Sequence, residues 1–185
     1  MADGLADPPP ILVLGLGNLL LGDDGVGLCL VEELRAVAHW PPEVEFVDGG
    51  TQGMALLGWL AGRRALLVLD AVGLGASAGA VHCLGAPELE NMSARRAGSA
   101  HEGNAMGLLA AARLTECCPA RFAVVGIEPA QLHTEVGLSA PVEAAIPQAV
   151  ECARRLLEDM IAGLCAAGAA SRRIGPCADN SSLRS

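Results

Sequence analysis

The chain contains no lysine and no tyrosine, and aromatic residues make up only 2% of its 185 positions. Its 12 basic residues are therefore all arginine, set against 21 acidic ones, for a formal net charge of −9. Such a balance repels a phosphate backbone and offers few rings on which bases could stack, which excludes nucleic-acid binding as the expected role. The charge-free stretch from Pro8 to Gly22 opens on three prolines and contains Asn18. A membrane-spanning helix needs about 20 mostly apolar residues, so no span is expected. Asp3 and Asp7 stand where a secretory leader would be basic, and the expected location is the cytoplasm. The seven cysteines show no C-x-x-C spacing, against a zinc ribbon or redox pair; they are expected to be small, buried and reduced. No G-x-S-x-G elbow and no H-E-x-x-H helix is present, so no ready nucleophile or zincin motif offers itself.

Hydrophobic residues, in contrast, account for 52% of the chain. A chain of this length can bury roughly 70% of its unfolded surface, enough for one self-sufficient core. Ile11 to Gly15 and Ala65 to Leu69 are unbroken apolar runs that read as buried strands. Val44 to Val47 and Phe122 to Ile127 add two more strands, and Gly79 to Leu84 an edge strand. Apolar residues at Val26, Cys29, Leu30, Leu34 and Val37 carry helical spacing. Further helices are expected over Gln52 to Ala61 and Gly103 to Glu116. A final one carries Ile146, Ala149, Val150, Ala153, Leu157, Met160 and Leu164 on one face, with Pro147 in its first turn. The alternation predicts an α/β three-layer sandwich: a mainly parallel twisted sheet of about five strands with helices on both faces. A leader over residues 1–10, one α/β domain over 11–165 and a disordered tail over 166–185 complete the expected organisation. In this architecture ligands bind at the carboxyl ends of the strands.

Three residues near that edge are candidates for chemistry. Gly15-Leu-Gly-Asn follows the first strand, but the third glycine of a dinucleotide fingerprint would fall at Leu20, and Asp23 and Asp24 would face a pyrophosphate. One of these aspartates suffices to cap the next helix. The second, taken as Asp24, is free to face the sheet edge. Asp70 ends Leu66-Leu-Val-Leu69, where a carboxylate is desolvated unless it meets a donor or a metal. Asp48 is followed by Gly49-Gly50-Thr51 and is expected to cap a turn. His101 ends the long irregular segment between Gly85 and Gly103, where an imidazole can swing over the edge. Two carboxylates and one imidazole make an open site for a first-row divalent ion. His39 and His82 look unconnected to this edge, and His133 has no obvious partner.

Taken with their neighbours, these residues resemble the endopeptidases that mature nickel–iron hydrogenases. The resemblance rests on Gly15-Leu-Gly-Asn18 with Gly22-Asp-Asp-Gly25, on Asp48-Gly-Gly-Thr-Gln-Gly53, and on Leu67-Val-Leu-Asp-Ala71. His101 before a helix and Val125-Gly-Ile-Glu-Pro129 continue it, and it spans about Ile11 to Met160. It implies an enzyme that removes a short C-terminal peptide from the hydrogenase large-subunit precursor after nickel insertion, with that nickel as the recognition feature. It implies metal contacts at Asp24, Asp70 and His101, with Asp24 and Asp70 as the catalytic acids. Some members carry Glu where this chain has Asp24. The implied cofactor is nickel, held by the precursor, with other divalent metals accepted in vitro, and the expected oligomeric state is a monomer. The alternatives are a metal-dependent peptidase or amidase of another substrate and a non-catalytic nickel-checkpoint protein.

Overall fold

The computed structural model describes residues 8–89 and 105–172, with the side chains of the last helix placed to residue 166. Five strands form one sheet: β1 (Ile11–Leu16), β2 (Val44–Gly50), β3 (Ala65–Ala71), β4 (Val81–Leu84) and β5 (Arg121–Ile127), in the order β2-β1-β3-β5-β4. All neighbours run parallel except β4, which pairs antiparallel to β5 at the edge. The helices are α1 (Val26–Ala36), the single-turn α2 (Leu57–Leu60), α3 (Ala105–Leu114) and α4 (Ala140–Arg172). Short 3-10 turns over Gly22–Gly25 and Gly53–Leu56 lead into α1 and α2. This is the three-layer α/β sandwich expected from the sequence.

Parallel strands covered on both faces have to be apolar throughout, and β1 and the first six residues of β3 are buried without exception. Alternation divides the core in two. Ile11, Val13, Leu67, Leu69 and Val125 face α1 and α4, whereas Leu12, Leu14, Leu66, Val68 and Val124 face α2 and α3. Each fully buried leucine in β3 contributes roughly 1.5–3 kcal/mol. Helix α1 buries Val26, Leu30, Val31 and Leu34, while Glu32 and Glu33 stay in solvent. Its C-terminal carbonyl at Leu34 accepts the indole N–H of Trp40 at 2.8 Å, and Pro41 ends any continuation.

The structure corrects several details of the sequence reading. Helix α4 starts at Ala140, so Pro147 lies inside it rather than in its first turn. The break is tolerated because Pro147 is on the exposed side, where water can serve the carbonyl that its missing N–H leaves over. The cysteines described are all free, but none is fully buried: Cys83 and Cys165 are exposed and the others half-buried. Leucine, valine and alanine fill the core positions, leaving the thiols at its margins.

Going from β2 to β3 the chain crosses β1, so the strand order reverses between β1 and β3. A crevice opens at such a reversal, outside the carboxyl ends of the two strands. Asp24 follows β1 and Asp70 lies near the end of β3.

Candidate active site

Asp70 continues the Leu66–Val68 row of β3, one step beyond Leu69, which pairs with Gly15 of β1. It therefore points towards the α3 face, and is only 4% exposed. Its Oδ1 accepts the N–H of Ala71 and its Oδ2 the N–H of Ala105, both at 2.8 Å. Burial disfavours the charged form, and the two N–H donors only partly oppose this. The charge of nearby Asp24 adds to the burial, and the Asp70 carboxyl is pushed up from 3.8 to about 7. The two acids expected to act together are thus electrostatic neighbours.

Asp24 reaches this position through glycine. Gly17 adopts φ +127°, and a Cβ there would lie 1.8 Å from the Asp24 carbonyl oxygen. At Gly27, a Cβ would lie 2.2 Å from the Leu16 carbonyl oxygen and 2.3 Å from that of Leu69. The first turn of α1 can therefore rest on the ends of both central strands only with hydrogen at these positions. The glycines of this loop serve backbone approach around two acids, rather than a phosphate cradle.

Neither aspartate caps α1, whose N-cap is Gly25, with no side-chain cap bond. Asp23 instead turns inward and is fully buried. Its carboxylate accepts the N–H groups of Ala130, Gln131 and Ser139 at 2.8, 3.0 and 2.6 Å and the Ser139 hydroxyl at 2.9 Å. Burial opposes ionisation here too, but these donors outweigh it and hold the carboxyl below its ordinary 3.8. Asp23 thereby ties the β1–α1 loop to the β5–α4 loop, alongside backbone bonds between Gly22 and Glu135 and between Leu20 and Glu135. Adjacent acids in one sequence have opposite environments: Asp23 is saturated with donors, whereas Asp24 is half-buried and its charge is felt by Asp70.

The remaining candidates fall elsewhere. His101, like Glu102 and Cys177, lies outside the described residues; in sequence it stands four positions before Ala105, whose N–H meets Asp70. Asp48 makes no cap: it is an exposed residue within β2. His133 does have a partner, Glu135 Oε2 at 2.9 Å. Sequence reasoning also left Glu128 without a role. It is 6% exposed, accepts the N–H groups of Leu74 and Gly75 at 2.8 Å, and pairs with His82 at 2.9 Å, holding the β3–β4 loop against β5. The signal was available: Glu128 ends an apolar strand run as Asp70 does. Among the described residues no three metal-ligating side chains come together.

A strand-order crevice with paired carboxylates, one titrating near neutrality, is apt for hydrolysis. The hydrogenase maturation protease model, HycI, matches residues 28–155. The chain belongs to that family. The hydrogenase 2 maturation protease of Escherichia coli K12 is 38% identical over 142 residues, covering 76% of this chain and 86% of that one. The hydrogenase expression/formation protein HupD of Rhizobium leguminosarum is 34% identical over 154 residues, covering 81% and 76%. The solved structure of the hydrogenase maturating endopeptidase HybD from E. coli superposes with a TM-score of 0.71 at 35% identity, covering 81% of this chain and 93% of that one. As a hydrogenase maturation protease the chain is an endopeptidase, and its fold is that of the family.

Proposed function

We propose that this maturation protease removes the C-terminal peptide of a nickel–iron hydrogenase large-subunit precursor, and that it does so once nickel is in place. The observation that carries the reading is the pairing of Asp24 with a dry Asp70 at the β1–β3 crevice of a protease fold. A carboxyl titrating at about 7 can accept a proton from water and return one to a leaving amine at neutral pH. Asp24, less buried, meets the incoming metal-bearing segment.

Nickel is part of the substrate in this reading. Carboxylate and imidazole donors suit a first-row divalent ion, but two acids do not make a closed site, so His101 and the precursor's own ligands complete the set. The same donors accept copper or zinc, and selectivity therefore comes from the geometry of the precursor. Asp24 and Asp70 orient the scissile carbonyl by fixing the metal-bearing segment beside them, and one of the two serves as base towards the attacking water. The enzyme acts as a monomer in the cytoplasm; among the described residues no helix is long and apolar enough to cross a membrane.

The test is to incubate the protein with nickel-loaded and nickel-free precursor and weigh both products. Loss of the C-terminal peptide from the loaded form alone is expected. Equal trimming of both forms overturns nickel recognition, and trimming of unrelated small peptides favours a broader peptidase.

A further inference from the structure

A groove of about 670 Å³ lies between α1 and α4 and reaches the carboxyl edge of the sheet at Leu19 and Asp48. Its floor is apolar, formed by Leu28, Leu138 and Ile146. Its rim is acidic, with Glu32, Glu33, Asp48 and Glu143, and among the described residues no basic one lines it. Glu32 is partly neutralised by Arg35 at 3.1 Å, whereas Glu33, Asp48 and Glu143 have no basic partner among the described residues. Asp48 pairs with Gly15 of β1, so the groove ends beside the strand that leads to Asp24. The apolar surface continues past its mouth: Leu19 and Leu20 are 52% and 61% exposed, and Leu132 and Val136 of the tethered β5–α4 loop are 60% and 81% exposed. Exposed apolar side chains gathered on two mutually bonded loops mark an interaction surface.

We infer that this groove is the docking site for a segment of the precursor that carries basic side chains beside apolar ones. The inference rests on the protease reading above and adds to it where the substrate is held away from the scissile bond. Charge complementarity selects the occupant: three carboxylates with no basic partner among the described residues, set over an apolar floor, attract Lys and Arg and disfavour an acidic segment. A second copy of this chain is a poor occupant, since copies carry −9 each and no lysine. The volume is in the range that closely holds a short peptide stretch or a drug-sized molecule, roughly 300–1,000 Å³.

The absence of lysine makes the test direct. With a carbodiimide, which joins carboxylates to amines, every side-chain cross-link to this protein must use an amine of its partner or the chain's own terminal amine. The full-length protein is mixed with purified nickel-loaded precursor, cross-linked and mapped by mass spectrometry. Cross-links from Glu33, Asp48 or Glu143 to precursor lysines are expected. In parallel, the double variant Glu33→Lys/Glu143→Lys is expected to raise KM for the precursor about tenfold, with kcat retained and the salt dependence of KM reduced. An unchanged KM, or cross-links that map to other carboxylates and leave these three free, overturns the inference. Failure of the wild-type protein to trim the precursor counts against the protease reading, and the cross-link map still decides the groove.

Discussion

The carboxylate of Asp70 receives the backbone N–H of Ala105 at 2.8 Å, so the acid near the end of β3 also fixes the start of α3. That helix presents Leu108, Leu109 and Ala112 to the core, and its first turn is thereby registered on the crevice. One buried carboxyl thus borders the crevice and holds the helix start, which has consequences for titration.

In metal-free protein, Asp70 makes stability fall as pH rises. The folded chain keeps a proton on Asp70 up to about 7, whereas the unfolded chain releases it near 3.8, so raising pH through that window favours unfolding. Asp70→Asn removes this slope. Denaturant titrations of both proteins at several pH values between 4 and 8 check it; an unaltered slope in the variant contradicts the burial account.

Asp23 has the opposite sign. Its carboxyl is held below 3.8, so its contribution is complete above that value and is lost as pH falls through the lower, folded-state value. Asp23→Ala leaves buried backbone donors in the β5–α4 loop unsatisfied and is expected to cost about 3 kcal/mol at neutral pH. Chemical denaturation measures the loss, and hydrogen exchange at Ala130, Gln131 and Ser139 should accelerate with it.

Two glycine substitutions separate close approach from mere turn propensity. Gly27→Ala drives a methyl into the carbonyls of Leu16 and Leu69, which belong to backbone and cannot rotate away. A loss of about 3 kcal/mol or more is expected. Gly58→Ala, where nothing lies within 4 Å, should be neutral or stabilise by up to about 1 kcal/mol. Thermal denaturation of the two variants gives the comparison.

Asp24→Asn is expected to leave the fold intact and reduce precursor trimming by about a hundredfold or more. Removing its charge also relieves Asp70, whose carboxyl should ionise at lower pH than in the wild type. Mass measurement of the precursor reads the first effect and carbonyl-carbon NMR of Asp70 the second. His101→Ala should abolish trimming as well.

The fold was legible because buried parallel strands must be uniformly apolar: Ile11 to Gly15 and Ala65 to Leu69 are short unbroken runs of that kind, and the helical spacing in α1 is equally plain. The crevice followed from topology, and Asp70 from the energetic oddity of a carboxylate ending such a strand. What Asp23 does was not legible. Its partners at 130, 131 and 139 are more than a hundred residues away, and two adjacent acids look alike until the chain folds. The N-cap expectation failed for the same reason, since local capping competes with distant donors and here the distant donors win. Glu128 was missed because attention to metal donors passed over a carboxylate whose work is to satisfy Leu74, Gly75 and His82.

Strand ends and glycine contacts hold Asp24 and Asp70 where a single methyl group is too much, yet Glu33 on α1 and Glu143 on α4 are exposed and take no part in those contacts. Mutation can therefore retune which protein is accepted without disturbing the acids. Lineages of this scaffold are free to diverge in clientele while conserving one reaction.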